Sequence, residues 1–184
     1  MRRFLAGFLV GAILLLLTVA LVARFGFADV RADAPIPSWF ASWFAASVHR
    51  SVRRQAAVID SLPPASDAEI IAGGKLYLDD CVGCHGEPGK PRSEFGATFY
   101  PPAPQLALDG TSYSEKQIFW IAKHGIRRTG MSAQSGSYSD EKLRLLAAFI
   151  SRIKTLPPSA VAALQQKAAP QTEEITQPGT EPKK

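Results

Sequence analysis

The chain has 184 residues, of which 46% are hydrophobic and 20% are charged. This composition is close to that of folded soluble proteins and argues against a wholly disordered chain and a multi-span membrane protein. The net charge of +5, taken alone, would admit nucleic acid, a membrane surface or acidic proteins as partners. Two cysteines are too few for a disulfide-rich scaffold or a multi-cysteine metal site.

The excess positive charge lies in the N-terminal third of the chain. Residues 1–65 carry seven arginines against three aspartates, whereas residues 66–157 carry eleven basic and ten acidic side chains. Residues 158–184 carry three of each. The central part therefore offers no basic surface for nucleic acid, and since no nucleic-acid-binding motif is visible, we expect no nucleic acid partner.

The first segment predicts a membrane span. Residues 4–23 contain no charge, and a helix of twenty residues is about 30 Å long, enough to cross a bilayer. The two arginines before it favour a cytoplasmic N-terminus, although Arg24 weakens the asymmetry. The alternative is a signal peptide cleaved near residue 28, but the apolar run exceeds the usual length of about 7 to 15 residues. We predict an uncleaved anchor over residues 1–25.

Residues 26–65 predict a linker that contains one amphipathic helix with prolines at its boundaries. Two interpretations of the helix, over residues 39–58, are open. It lies at the membrane interface, where Trp rings and Arg side chains settle at headgroup level, or its apolar face packs on the folded domain. We interpret His49 as a residue of the polar face rather than a ligand. The aromatic and basic side chains concerned are Trp39, Phe40, Trp43, Phe44, Arg50, Arg53 and Arg54.

The folded domain is predicted over residues 66–157 and opens with a capping box formed by Ser66 and Glu69. Two glycines, Gly73 and Gly74, lie inside the helix that follows, where each costs roughly 1 kcal/mol relative to alanine. We expect the close approach of a second helix to explain them; the alternative is a weak or bent helix.

Directly after this helix, residues 81–85 read Cys-Val-Gly-Cys-His, the pattern of covalent c-type haem attachment. Two thiols one helical turn apart can add to the two vinyl groups of a haem, and the next residue places an imidazole under the iron. Thioredoxin-like chemistry would require a βαβ context, and zinc would need further ligands. The motif predicts one haem c, bound through Cys81 and Cys84, with His85 as an iron ligand.

The sixth ligand of the iron is predicted to be Met131. Since Met1 precedes the anchor, Met131 is the only thioether available to an exported haem. His124 as a second histidine ligand, or an open sixth position, are the alternatives. Ligation by His and Met raises the reduction potential and leaves no vacant axial site for oxygen chemistry.

Three further motifs accompany the attachment motif. They are a G-x-x-L-Y pattern at Gly73, Leu76 and Tyr77, a glycine-bearing loop before Met131 (Gly125, Ile126, Thr129, Gly130), and a proline-rich stretch over residues 100–106 that contains P-x-L. With these motifs, residues 66–157 resemble the class I c-type cytochromes of bacteria, particularly the small monohaem domains attached to respiratory oxidases.

The resemblance implies an all-α class I cytochrome c fold around one covalently attached haem. It implies that a proline carbonyl of the P-x-L accepts a hydrogen bond from His85. This proline is Pro104, although Pro101 or Pro102 could serve instead. It also places an aromatic residue of the last helix, Phe149, across Gly73 or Gly74 of the first helix.

The remaining predictions concern the surface and the tail. Lys123, Arg127 and Arg128 lie near the edge where family members expose haem, and they either steer an acidic redox partner or form a solvated face. Residues 158–184 predict a disordered or partly helical tail, because apolar residues almost disappear after Ala169.

Together these features predict an electron-transfer protein, not an enzyme, held in the bacterial inner membrane by one span with the haem domain in the periplasm. The expected partners are the membrane and redox proteins: a dehydrogenase, a bc-type complex or a terminal oxidase. The alternatives are a subunit of a larger complex, or a haem enzyme or ligand sensor if Met131 is not a stable ligand.

Overall fold

The computed structural model describes residues 1–27, 29–31, 34 and 36–168. The described residues form nine helices and no strand. The chain divides into two compact units, Met1–Pro37 and Ser38–Lys184. The helices are α1 (Arg2–Arg24), α2 (Ser38–Ala56), α3 (Asp67–Asp80), α4 (Val82–His85), α5 (Glu94–Ala97), α6 (Leu106–Asp109), α7 (Glu115–His124), α8 (Asp140–Ser151) and α9 (Pro158–Ala168).

Helix α1 is the only regular element of the first unit among the described residues. Its 23 residues form a helix of roughly 35 Å, and none of its side chains is buried. Its length and apolar composition make it a candidate membrane span.

Helix α2 belongs to the second compact unit, which begins at Ser38. It packs against α7, and Val52 and Ala56 are its buried residues. Its C-terminal half therefore packs on the helical domain, as one of the two interpretations of this helix expected. The aromatic side chains of its first turns remain exposed.

Helices α3 and α8 form the centre of the second unit. A Cβ atom at Gly73 would lie 2.0 Å from the carbonyl oxygen of Leu145 and 3.0 Å from the Cβ of Phe149. At Gly74 it would lie 2.9 Å from the ring of Phe149. The expected close approach of a second helix is confirmed, and Phe149 lies against both glycines.

The capping box at the start of α3 is also confirmed. The backbone N–H of Ser66 donates to the Glu69 carboxylate at 2.8 Å, and the backbone N–H of Glu69 donates to the Ser66 hydroxyl at 3.4 Å. These two hydrogen bonds satisfy N–H groups that the first turn of a helix leaves without a partner.

Helix α9 lies in the segment predicted to be disordered or partly helical. It packs on α3, with Ala160 and Leu164 buried, and the Leu164 methyl groups come within 2.8 Å of the position of a Cβ at Gly74. The small residue on α3 leaves room for Leu164. Residues 169–184, predicted to be disordered, lie outside the described residues.

Candidate haem site

The attachment motif forms a single helical turn at the end of α3. The backbone N–H of Cys81 donates to the Tyr77 carbonyl at 2.9 Å, and that of His85 donates to the Cys81 carbonyl at 2.9 Å. These bonds carry the helical path from α3 into α4, where the two cysteines stand one turn apart. The chain then turns at Gly86, whose φ of +83° favours glycine.

Tyr77 links the attachment turn to the core of the domain. Its side chain is fully buried against Phe149, with ring centroids 5.3 Å apart, and its hydroxyl donates to the Gly86 carbonyl at 2.7 Å. Burial raises the pKa of the Tyr77 hydroxyl, so it stays protonated and remains a donor. The core of the domain thereby fixes where the attachment motif ends.

The five side chains predicted to form the site line one cavity of about 360 Å³. Cys81, Cys84 and His85 come from the attachment turn, Pro104 from the proline-rich stretch and Met131 from the loop after α7. Aliphatic side chains supply much of the remaining wall, and they are Leu106, Ile118, Ile121, Ile126, Leu146 and Ile150. The arrangement is an apolar pocket with a few convergent polar groups, as ligand sites commonly are.

His85 is held by the proline-rich stretch. Its Nδ1 lies 2.9 Å from the carbonyl oxygen of Pro104, and since a carbonyl only accepts, Nδ1 carries the proton. The Nε2 nitrogen keeps its lone pair for a metal. The structure thus selects Pro104; Pro101 and Pro102 do not line the cavity.

Burial lowers the pKa of His85, while the hydrogen bond to Pro104 raises it by a smaller amount. The neutral imidazole is therefore the favoured form, and this is the form that binds iron. Burial, followed by the nearby Asp80 and Cys84, raises the pKa of the Cys81 thiol to about 12. Both cysteines are free, so neither is consumed in a disulfide.

Met131 ends a loop that is closed by its own backbone. The N–H of Ile126 donates to the Met131 carbonyl at 2.9 Å, and the N–H of Met131 donates to the Thr129 hydroxyl at 3.1 Å. Gly125 has a φ of +66°, and a Cβ there would lie 2.6 Å from the Met131 carbonyl. The glycine thus lets the chain fold back and carry Met131 to the cavity wall.

The alternative ligand His124 lies elsewhere. Its side chain is exposed, packs against Trp120 with ring centroids 5.0 Å apart, and does not line the cavity. Of the predicted cationic cluster, Lys123 donates to Asp140 at 2.7 Å, so its charge is partly neutralised. Arg127 and Arg128 are exposed and form no ion pair with any described residue.

His49 was interpreted from the sequence as a polar-face residue, and its place in the cavity wall was not predicted. His49 of α2 lines the cavity and stacks on Tyr113, with ring centroids 4.5 Å apart and an angle of 14° between the rings. Its spacing in α2 places it near the buried Val52, but nothing local links it to Tyr113. Only the packing of α2 on α7 brings the two rings together.

Residues 68–150 match the family model of the cytochrome c oxidase, cbb3-type, subunit III. This part of the chain is a c-type cytochrome domain of the kind found in respiratory oxidases. No solved structure matches the chain with significance. The match covers less than half of the chain and includes the attachment motif and Met131, whereas α2 and α9 lie outside it.

The cytochrome domain has the all-α class I cytochrome c fold, as the resemblance implied. A cytochrome c domain implies haem c and electron transfer through it. The cavity fits this group, since it presents two free thiols, an imidazole with an available Nε2, a thioether and an apolar lining.

Proposed function

We propose that the protein is a membrane-anchored monohaem cytochrome that passes single electrons between respiratory partners. The observation that carries the proposal is the convergence of Cys81, Cys84, His85 and Met131 on one apolar cavity. The match to a cytochrome domain supports electron transfer as the function of the chain, rather than the transformation of a substrate.

Each residue has a proposed role. Cys81 and Cys84 would tether one haem through thioether bonds, and His85 and Met131 would hold its iron. The Pro104 carbonyl fixes the tautomer and orientation of His85 and raises its basicity as a ligand. When bound, the haem would supply an iron that accepts and releases one electron at a time.

The proposed location of the protein in the cell rests on the first segment of the sequence. Residues 1–25 are proposed to span the bacterial inner membrane once, with the N-terminus in the cytoplasm and the haem domain in the periplasm, supported by α1 and by the two arginines that precede the apolar run.

The test is to purify the full chain in detergent from a host that attaches c-type haem. Haem is expected to stay on the denatured chain of the wild type and to be absent from the Cys81→Ala/Cys84→Ala variant. The reduced protein is expected not to bind carbon monoxide at neutral pH. Tight binding would contradict simple electron transfer and would favour the haem sensor or enzyme.

A second candidate is a stable subunit of a larger oxidase or dehydrogenase complex, and the match to an oxidase subunit family favours it. Purification from native membranes in a mild detergent separates the two. A set of stoichiometric co-purifying subunits would support the complex, whereas a free monomer competent in electron exchange would support the shuttle.

A further inference from the structure

The first turns of α2 expose three aromatic side chains. Trp39, Phe40 and Trp43 are 71%, 40% and 61% exposed. They contact one another, with ring centroids 5.8 Å apart for Trp39 and Phe40 and 5.9 Å for Phe40 and Trp43. We call these three residues the aromatic cluster. The core of the domain does not cover them, although α2 itself packs on α7.

Arginines continue the same side of the helix. Trp39, Trp43, Arg50 and Arg54 follow one another at intervals of four, seven and four residues, which places them on one helical face. The buried Val52 lies on another face. This face therefore carries aromatic rings at one end and cations at the other, and Arg50 and Arg53 also border a groove beside Tyr113 and Gln117.

These cations are not neutralised within the protein. Arg50, Arg53 and Arg54 are exposed, and no carboxylate of the described residues forms an ion pair with them. Three unpaired guanidinium groups beside exposed Trp rings match the composition of helices that lie in a bilayer interface. They also complement the negative charge of anionic lipid headgroups.

The position of α2 in the chain favours a membrane as the occupant of this face. Residues 25–37, thirteen in number, separate α1 from α2. If α1 spans the bilayer as proposed above, this short tether raises the effective concentration of lipid headgroups at α2. Weak binding of α2 to the lipid interface is then sufficient to keep the helix at the membrane.

We propose that the aromatic cluster and Arg50, Arg53 and Arg54 form a lipid-binding face that rests in the interface of an anionic bilayer. The occupant is the phospholipid surface itself, with the Trp rings at headgroup level and the guanidinium groups on phosphates. Since α2 packs on α7, this face restricts the orientation of the haem domain relative to the membrane.

The test uses the full-length haem-containing protein in vesicles of phosphatidylcholine with one third phosphatidylglycerol. In that protein both native cysteines are bound to haem, so a single introduced cysteine can carry a nitroxide label. Ser47→Cys places the label one turn after Trp43, and Ser137→Cys places it on an exposed loop of the domain as the matched control. With the haem reduced, power saturation of the electron paramagnetic resonance signal compares how often the nitroxide label collides with oxygen and with a water-soluble nickel chelate.

The label at position 47 is expected to show a ratio of oxygen to nickel collisions several-fold higher than the label at position 137. Trp39→Ser/Trp43→Ser in the same background should bring the ratio down to the control value. Equal ratios at the two positions, while the protein floats with the vesicles, would overturn this inference and leave the proposed anchor standing. Protection of position 47 from both reagents would overturn it in favour of a protein partner. Failure to float would overturn the anchor and this inference together.

Discussion

The Nδ1 nitrogen of His85 donates a hydrogen bond of 2.9 Å to the carbonyl oxygen of Pro104, nineteen residues later in the chain. The bond joins the attachment turn to the proline-rich stretch, and it fixes which ring nitrogen is free to bind a metal. Pro104 itself holds the carbonyl in place, because its ring restricts the backbone.

Pro104→Ala retains the carbonyl but loosens the backbone that presents it. A weaker hydrogen bond makes His85 a less basic ligand, which stabilises the ferric state less, so the midpoint potential should rise. A loss of hydrogen-bond free energy within the usual range of about 0.5–1.5 kcal/mol corresponds to a rise in the midpoint potential of roughly 20–60 mV. Redox titration measures the shift. Pro102→Ala, outside the cavity wall, is the control, and an equal shift in both variants would contradict a specific role of Pro104.

Met131→Ala removes the only thioether at the cavity wall. Loss of the thioether, which favours ferrous iron, should lower the midpoint potential by on the order of 0.1 V, a fraction of the about 0.8 V that axial ligands span. The ferric iron–sulfur charge-transfer band should disappear. His124→Ala, at an exposed position away from the cavity, should change neither property. A normal band in Met131→Ala, or its loss in His124→Ala, would show that the ligand is assigned wrongly.

Two glycine substitutions test the close approach of α8 to α3, and a third serves as their control. Gly73→Ala drives a Cβ against the Leu145 backbone, which cannot yield easily, and overpacking of this kind costs about 1–3 kcal/mol or more. Gly74→Ala meets the ends of the Leu164 side chain and the Phe149 ring, so its cost should be smaller. Gly83→Ala meets nothing within 4 Å and is the control. Thermal unfolding should rank the losses in that order; a Gly73→Ala protein as stable as Gly83→Ala would rule out the close contact.

Val52→Ala tests whether α2 is part of the domain. Val52 is 2% exposed and Val58, just after the helix, is 87% exposed. Truncating the buried valine should lower the free energy of unfolding by about 1–3 kcal/mol, whereas Val58→Ala should leave it within about 0.5 kcal/mol. Denaturant titration of the detergent-solubilised holoprotein gives both values. Equal stabilities would mean that α2 does not pack on α7 in solution.

Low pH should lower the stability of the fold because Glu69 becomes protonated. Its carboxylate accepts hydrogen bonds from the Ser66 backbone N–H and from Arg144, which together lower its pKa to about 2 from an ordinary value of 4.5. A carboxyl with a lowered pKa stabilises the fold above its unfolded pKa, so this contribution is complete above pH 4.5 and is lost between 4.5 and about 2.

Glu69→Gln keeps an oxygen that can accept from Ser66 but removes the charge. Its stability should fall below that of the wild type at pH 6, and the gap should close as the pH falls toward 2. Glu94→Gln, at an exposed site, is the matched control. A gap between wild type and Glu69→Gln that is constant from pH 6 to pH 2 would exclude the charge of Glu69 as the cause.

Local patterns were sufficient to predict helices α1, α2 and α3. The capping box of Ser66 and Glu69 and the glycines of α3 were readable because caps and helix crossings depend on a few residues of one segment. The packing of Leu164 and the stacking of His49 on Tyr113 were not readable. Both contacts join segments far apart in the chain, and no local pattern in either segment indicates the other.

The sequence by itself determined the cofactor class, and it predicted the residues that would bind it, since the spacing of Cys81, Cys84 and His85 reflects covalent geometry within one helical turn. Only the tertiary structure decided which of three prolines meets His85 and that α2 and α9 belong to the folded unit. It also decided that His124 lies away from the cavity. These outcomes depend on how helices pack against one another, and packing is fixed by the shape of the whole core rather than by any local pattern.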